Sequence, residues 1–442
     1  MFDTVIKNAR IVSHEPGIRQ GDIVISGGKI VDIIDAFDGE ASFIYDVSGK
    51  YVLPGIIDAH VHFRDPGLTK KEDFVSGSRA AVSGGITTVF DMPNTDPPNV
   101  SLSALIDKRR RILGRSFCHY GFYFGATAHN LHDLEKVSNV AGIKYYISHS
   151  TGGLGVPDMS VLERIFEHTN KLVAVHAEDE SIIQRNFQLY EDEVIGIGDH
   201  GKIRSREAAY EATLQALTLA QKYKHRLHVC HVTTQDEVDL ILRYRSQGVL
   251  VTFEITPHHL FLTEEEGEKQ GFFVKVNPPL RTHKDTVSLW KALESGDLDM
   301  IATDHAPHLK SEKHAAYKDA PSGVPGVETM LPLLLHAMNK RRSFALHDIV
   351  RLMSYNPARI FGLHSKGAVI VGYDADLVVC DLELERVVEN ESLYTKCGWS
   401  PFHGWKLRGW PVMTFVSGMP VYRDGKVDEN FRCGKEVEFH AS

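Results

Sequence analysis

The sequence has little that could hold it together covalently and nothing that would anchor it in a bilayer. Its five cysteines (Cys118, Cys230, Cys380, Cys397 and Cys433) are scattered, odd in number and without a CxxC pair. That excludes a disulfide framework and makes a reducing cytoplasm the expected compartment. No run approaches the ~20 apolar residues of a membrane span. The N-terminal MFDTVIKNARIVSHEPG lacks the apolar core of a signal peptide. Basic charge is in deficit, with 49 Lys+Arg against 58 Asp+Glu and a net charge of −9. Nucleic acid and anionic membrane are therefore not expected partners, because phosphate contacts need clustered Lys and Arg. No GxGxxG follows a first strand, so the usual dinucleotide fingerprint is missing. Fixed-period repeats and low-complexity tracts are missing too.

What is present is an ordinary soluble composition, 43% hydrophobic and 24% charged, in 442 residues. Single domains stop growing near ~250–300 residues, which suggests one large domain and a smaller one. The first fifty residues read as short strands, VIKNARIV and then GDIVISGGKIVDII with Gly27-Gly28 as a hairpin turn. The same texture returns only at the end, in GAVIVGYDADLVVCDL, in WPVMTFVSGMPVY and in the Asp424-Gly425 turn. A small β domain built from residues 1–53 and 365–442 is expected, since chain termini often lie close together. Between them, apolar runs at 56–62, 86–92, 120–126, 142–147, 172–177, 227–232, 249–255 and 300–305 are largely interleaved with helical stretches. Eight strand candidates over roughly 250 residues fit a (β/α)8 barrel, here 54–364, with a doubly wound open sheet as the competing architecture.

Barrel strands deliver their C-terminal ends to the active site. The first run ends in Asp58-Ala-His60-Val-His62, and alternation places both imidazoles on one face. Alone, an HxH can be two unrelated polar residues at a strand end. Later runs end with His176, His231 and Asp304 in a chain holding 24 His. Four imidazoles and a carboxylate at four strand ends read as a metal site. They exceed the three ligands of a usual mononuclear zinc centre, which suggests two ions. A bridge between two cations should be anionic, yet the fourth run offers Lys144. Either Lys144 stays outside the site as an ordinary cation or it loses its charge, and residue chemistry alone leaves both open.

His60-Val-His62-Phe-Arg64-Asp-Pro-Gly67 followed by Asp91-Met-Pro-Asn94-Thr resembles the dihydroorotases, cyclic amidohydrolases of the amidohydrolase superfamily. So do Val276-Asn277-Pro-Pro-Leu-Arg281, Asp304-His-Ala-Pro-His308, Gly323-Val-Pro-Gly-Val-Glu328, Asn356-Pro-Ala-Arg359 and Gly372-Tyr-Asp-Ala-Asp376-Leu. The resemblance implies two Zn2+, one on His60, His62 and Asp304 and one on His176 and His231, bridged by carboxylated Lys144 and a hydroxide. It implies that Arg64, Asn94 and His308 recognise a substrate carboxylate, that Asn277 touches a pyrimidine ring, and that Asp304 carries the proton. The Ser148-His-Ser-Thr-Gly-Gly-Leu stretch after Lys144 departs from the family pattern.

The implied activity is the reversible conversion of L-dihydroorotate to N-carbamoyl-L-aspartate, a step of pyrimidine biosynthesis; the resemblance also makes a homodimer plausible. Allantoinase and hydantoinase/dihydropyrimidinase would use the same ligands, and a silent scaffold relative would be expected to have lost them. Arg64 and Asn94 favour a carboxylate-bearing substrate over those rivals. Taken alone, Arg64 beside Asp65 reads as a surface ion pair, and Asn277 as a turn residue before Pro278-Pro279. Cys230 alternates away from His231 and is expected in the core. His258 and His259 are expected to be structural. Gly152-Gly153 and Gly155 read as a loop that could cover the site.

Overall fold

A computed structural model describes residues 2–149, 154–155, 158–190 and 195–440. The chain opens with β1 (Phe2–Val12), β2 (Ile18–Ser26), β3 (Lys29–Ile34), β4 (Ala41–Asp46) and β5 (Tyr51–Pro54). The β2–β3 hairpin turns through Gly27 and Gly28, whose φ of 59° and 75° would strain any residue with a Cβ. The strands β14 (Leu377–Val387), β15 (Lys406–Val416), β16 (Met419–Arg423) and β17 (Lys426–Val427) complete the same sheet. Its order is β17-β16-β15-β14-β5-β1-β2-β3, with β4 parallel to β1. The antiparallel β5–β14 pairing, Val52 opposite Val379, is where the two ends of the chain meet. Ile6, Ile23, Ile25, Val52, Leu377 and Phe415 pack there as a core.

One strand expectation fails. GAVIVG at 367–372 is not extended, and β14 begins only at Leu377. Gly367 and Gly372 take φ of 86° and 93°, and Tyr373 N donates back to the Ile370 carbonyl. Two glycines in left-handed conformations turn a β-branched run into a turn.

Between the two halves of that sheet lie β6 (Ile56–Val61), β7 (Ile86–Asp91), β8 (His119–Gly125), β9 (Gly142–Tyr146), β10 (Val173–His176), β11 (Leu227–Val229), β12 (Val251–Ile255) and β13 (Met300–Ile301). Each falls within an expected run or overlaps it, and neighbours pair in parallel order from β6 to β13. A parallel bridge between Val61 and His305, with His62 N donating to the His305 carbonyl at 2.8 Å, nearly closes the barrel. The open-sheet alternative is therefore excluded. Helices such as Phe74–Ser83, Arg206–Tyr223 and Gln235–Ser246 return the chain between strands. Their starts are set by side-chain caps: Asp73 and Ser76 form a capping box, as do Thr234 and Glu237, and Ser205 caps Arg206–Tyr223.

The C-terminal residues run back to the barrel. Val437 N donates to the Tyr120 carbonyl, and Phe439 packs edge-on against Phe90. Trp399 Nε1 donates to the His308 carbonyl at 2.8 Å, so the segment before β15 supports a loop at the site. Among the described residues, no helix is long and apolar enough to cross a membrane, and all five cysteines are free.

Candidate functional site

At the C-terminal ends of the barrel strands a cavity is lined by His60, His62, Arg64, Asn94, Tyr146, His176, His231, Asn277 and Asp304, with Ala306, Ser322 and Gly323 on one wall. Gly323 is required there: at φ 140°, a Cβ would lie 2.4 Å from the Ala306 carbonyl oxygen. Eight described non-glycine residues have positive φ, and Arg64 (61°), His231 (38°) and Asp304 (46°) are among them. Strained backbone of this kind persists only where the surrounding structure holds it, typically at functional sites.

One half of the cavity is built from imidazoles, each aimed by a second residue. His60 Nδ1 donates to the buried Glu254 carboxylate. His62 Nδ1 donates to Asn94 Oδ1 at 2.6 Å. His176 Nε2 donates to Glu178 Oε2 at 2.9 Å, and Glu178 is itself gripped by Arg204 Nε at 2.9 Å and NH2 at 2.6 Å. Outer partners of this sort fix the tautomer and orientation of ligating histidines. They leave His60 Nε2 and His62 Nε2 facing Asp304 Oδ1 at 3.3 and 3.0 Å. The ligand atoms of these three residues lie within 4.8 Å of one another. Lone pairs converging at this distance repel unless a cation sits among them.

The electrostatics agree. Burial opposes a charge on His60, yet Glu254 and Asp304 raise it to about 10. Positive charge is thus favoured at this point. Burial takes His62 down to about 4. The Asp304 carboxyl, although buried, is held well below its usual range by His60 and His62. Beside this trio, His231 Nε2 lies 3.0 Å from His176 Nδ1, and the His60 and His231 rings are 5.4 Å apart. His231 Nδ1 is buried with no hydrogen-bond partner. The donor set therefore fits bound divalent metal.

Lys144, in the middle of β9, is fully buried below the lining residues. Its Nζ donates to Cys230 Sγ at 3.0 Å and stands 5.0 Å from the Tyr146 ring centroid. Cys230 is buried in an apolar cluster, as expected, but its side chain does not point the expected way. Alternation would carry its side chain away from His231, but β11 ends at Val229 and the left-handed His231 breaks the period. Cys230, His60 and Glu254 consequently form a second close group. His259 is structural, with Nδ1 on Thr256 Oγ1 and Nε2 on the Pro278 carbonyl. His258 is buried, and its Nε2 has no partner.

The other half of the cavity is cationic and unsatisfied. Arg64 is 2% exposed, and its Nε and NH1 have no hydrogen-bond partner. The surface ion pair between Arg64 and Asp65 does not form; Asp65 pairs instead with Arg115 at 3.1 Å. Asn277 Oδ1 and the Tyr146 hydroxyl line the same cavity, buried and unpartnered. His308 stands behind Arg64, with Nε2 3.2 Å from Arg64 NH2, and does not line the cavity. Glu254, Glu178 and Tyr146 were not singled out from the sequence. Glu254 had a visible signal, a carboxylate inside an apolar strand, and Glu178 follows His176 by two residues. The Gly152-Gly153 part of the expected cover lies outside the described residues.

The geometry is that of a candidate metal site at the mouth of a (β/α)8 barrel. Residues 51–421 match the model of the amidohydrolase family, and the chain belongs to that family. It is 38% identical to a dihydroorotase of Methanosarcina acetivorans over 99% of this chain and 96% of the relative. It is 35% identical to an L-hydantoinase of Paenarthrobacter aurescens over 97% of this chain and 96% of the relative. Among solved structures, an L-hydantoinase (dihydropyrimidinase) from Arthrobacter aurescens superposes with a TM-score of 0.94 at 33% identity, covering 99% of this chain and 100% of that one.

Proposed function

We propose that this cyclic amide hydrolase is a dihydroorotase, opening L-dihydroorotate to N-carbamoyl-L-aspartate and closing it again. The observation that carries the choice is Arg64, a buried guanidinium with two unpartnered donors in a cavity shared with the imidazole–carboxylate cluster. A buried cation of this kind calls for an anionic ligand, and its fork matches a carboxylate. Dihydroorotate bears a carboxylate; hydantoin, dihydrouracil and allantoin do not.

His60, His62 and Asp304 would hold one zinc ion, and His176 and His231 a second. Lys144 as a carbamate would bridge them. Support for the carbamate comes from burial: among the described residues Lys144 has no carboxylate partner, and a bare ammonium would stand amid metal-binding imidazoles. Zinc bound here supplies Lewis acidity and makes water more acidic near neutral pH. The chain's residues do the rest. Arg64 binds the ring carboxylate and orients the substrate, with the Asn94 side chain and Asn277 Oδ1 facing the same space. Asp304, ionised at neutral pH, accepts a proton from the attacking water and passes it to the departing ring nitrogen. Closure runs the same transfers backwards. The small substrate fits an enzyme that works free of nucleic acid and membrane, in the cytoplasm, with a homodimer as its assembly.

The test is loss of L-dihydroorotate by zinc-loaded protein, with allantoin, hydantoin and dihydrouracil in parallel. Selective turnover of dihydroorotate is expected. Preference for a substrate without a carboxylate would overturn the assignment and leave the metal centre standing.

A further inference from the structure

His308 has three polar neighbours within hydrogen-bond distance, and two of them, Lys71 and Ser322, select the same neutral tautomer against the third, Arg64. Lys71 Nζ lies 3.1 Å from Nδ1. An ammonium can only donate, so Nδ1 must present its lone pair and Nε2 must carry the proton. That Nε2–H donates to the Ser322 carbonyl at 3.0 Å. The ring is completely buried, and burial followed by Arg64, Lys71 and Lys313 keeps it far from protonation. Arg64 NH2, 3.2 Å from the same Nε2, therefore meets an N–H and not a lone pair. With Nε and NH1 also unpartnered, the guanidinium has no side-chain acceptor on this side.

A competing arrangement is built in. Glu312 Oε2 is 3.8 Å from His308 Nδ1, while Glu312 Oε1 pairs with Lys71 at 2.9 Å. Without the Lys71 ammonium, this carboxylate would favour an Nδ1–H turned towards it as a donor. The Nε2 lone pair would then take a hydrogen bond from Arg64 NH2. Arg64 would be satisfied inside the protein and less available to a ligand.

Resting on the carboxylate reading of the cavity, we propose that Lys71 is a positioning residue for substrate recognition. By donating to His308 Nδ1 it holds the proton on Nε2, which denies Arg64 an internal acceptor and keeps its guanidinium for the substrate carboxylate. Lys71 has no place in the lining of the cavity and acts through His308. Its own charge is largely met by Glu312.

The experiment compares zinc-loaded wild type, Lys71→Met, Lys71→Arg and Arg64→Ala with L-dihydroorotate at low and high ionic strength. A hydrogen bond to a charged group changes binding by about tenfold or more. Lys71→Met is expected to raise KM by about that factor with kcat within about twofold, and Lys71→Arg to stay near wild type. The KM ratio should be the same at both salt concentrations, because a tautomer is not screened whereas a distant charge is. A KM effect that vanishes in high salt, or an equal loss of kcat, would overturn the proposal. So would an unchanged KM in Lys71→Met when Arg64→Ala raises it. If Arg64→Ala itself changes nothing, the carboxylate reading is what has failed. Nitrogen-15 spectra of histidine-labelled protein, with His308 assigned by its loss in His308→Gln, give a readout free of activity. The proton should sit on Nε2 in wild type and on Nδ1 in Lys71→Met; an unmoved proton contradicts the proposal.

Discussion

The two halves of the cavity are built on opposite plans. On the imidazole side each outward nitrogen of His60, His62 and His176 is met by Glu254, Asn94 or Glu178. On the other side Arg64 is buried with Nε and NH1 unmet, at a cost of about 1–3 kcal/mol for an unsatisfied buried group. The difference separates rigid from waiting chemistry. On the proposed reading, ligands for a metal are fixed before anything binds, whereas the group that would select the substrate is left incomplete until a carboxylate arrives.

The most damaging change should be to the residue shared by both tasks of the imidazole side. Asp304→Asn removes the proposed proton carrier, and kcat should fall about a thousandfold or more, measured at saturating dihydroorotate on protein whose zinc content has been checked. A smaller loss would mean that another group moves the proton. Next, Glu254→Gln leaves His60 in place but weakens its aim. Zinc affinity should drop by about 10–100-fold with substrate KM little altered, as competition with a chelator would measure. If KM moved and zinc affinity did not, the division of labour between the halves would be wrong. Smallest is an effect of the reaction itself. In the proposed reaction the carboxylate assigned to Arg64 is unchanged by turnover, while ring opening makes a new one with a pKa near ~4. Above that pH opening releases a proton, so the equilibrium ratio of open to closed compound should rise about tenfold per pH unit and fall as pH falls. Chromatography of equilibrated mixtures would check it, and a ratio indifferent to pH would rule out this ring opening.

The barrel was legible in the sequence because its signal is local: eight apolar runs, four of them carrying a candidate His or Asp ligand at their ends, need only strand period and spacing. The HxH pair, His176, His231 and Asp304 followed from the same rule, since a strand end points where the barrel points it. What escaped lay where the local rule stops. Cys230 was placed in the wrong direction because His231 leaves the extended region at φ 38°, and GAVIVG lost its strand to two left-handed glycines. Glu254 acts by touching His60 on another strand, a contact that only the closed barrel creates, whereas Glu178 meets His176 locally, two residues away. The tautomer of His308 depends on Lys71 and Ser322, separated from it in sequence and joined only by the fold.

The claim that the cavity is divided into a metal half and a carboxylate half is tested most directly by one ratio. It is kcat/KM for L-dihydroorotate over kcat/KM for dihydrouracil, in wild type and in Arg64→Met with equal zinc. The account predicts that the ratio collapses by about a hundredfold or more, through loss of the charge-assisted pair, while the slow dihydrouracil reaction is untouched. A ratio that survives the substitution would contradict it.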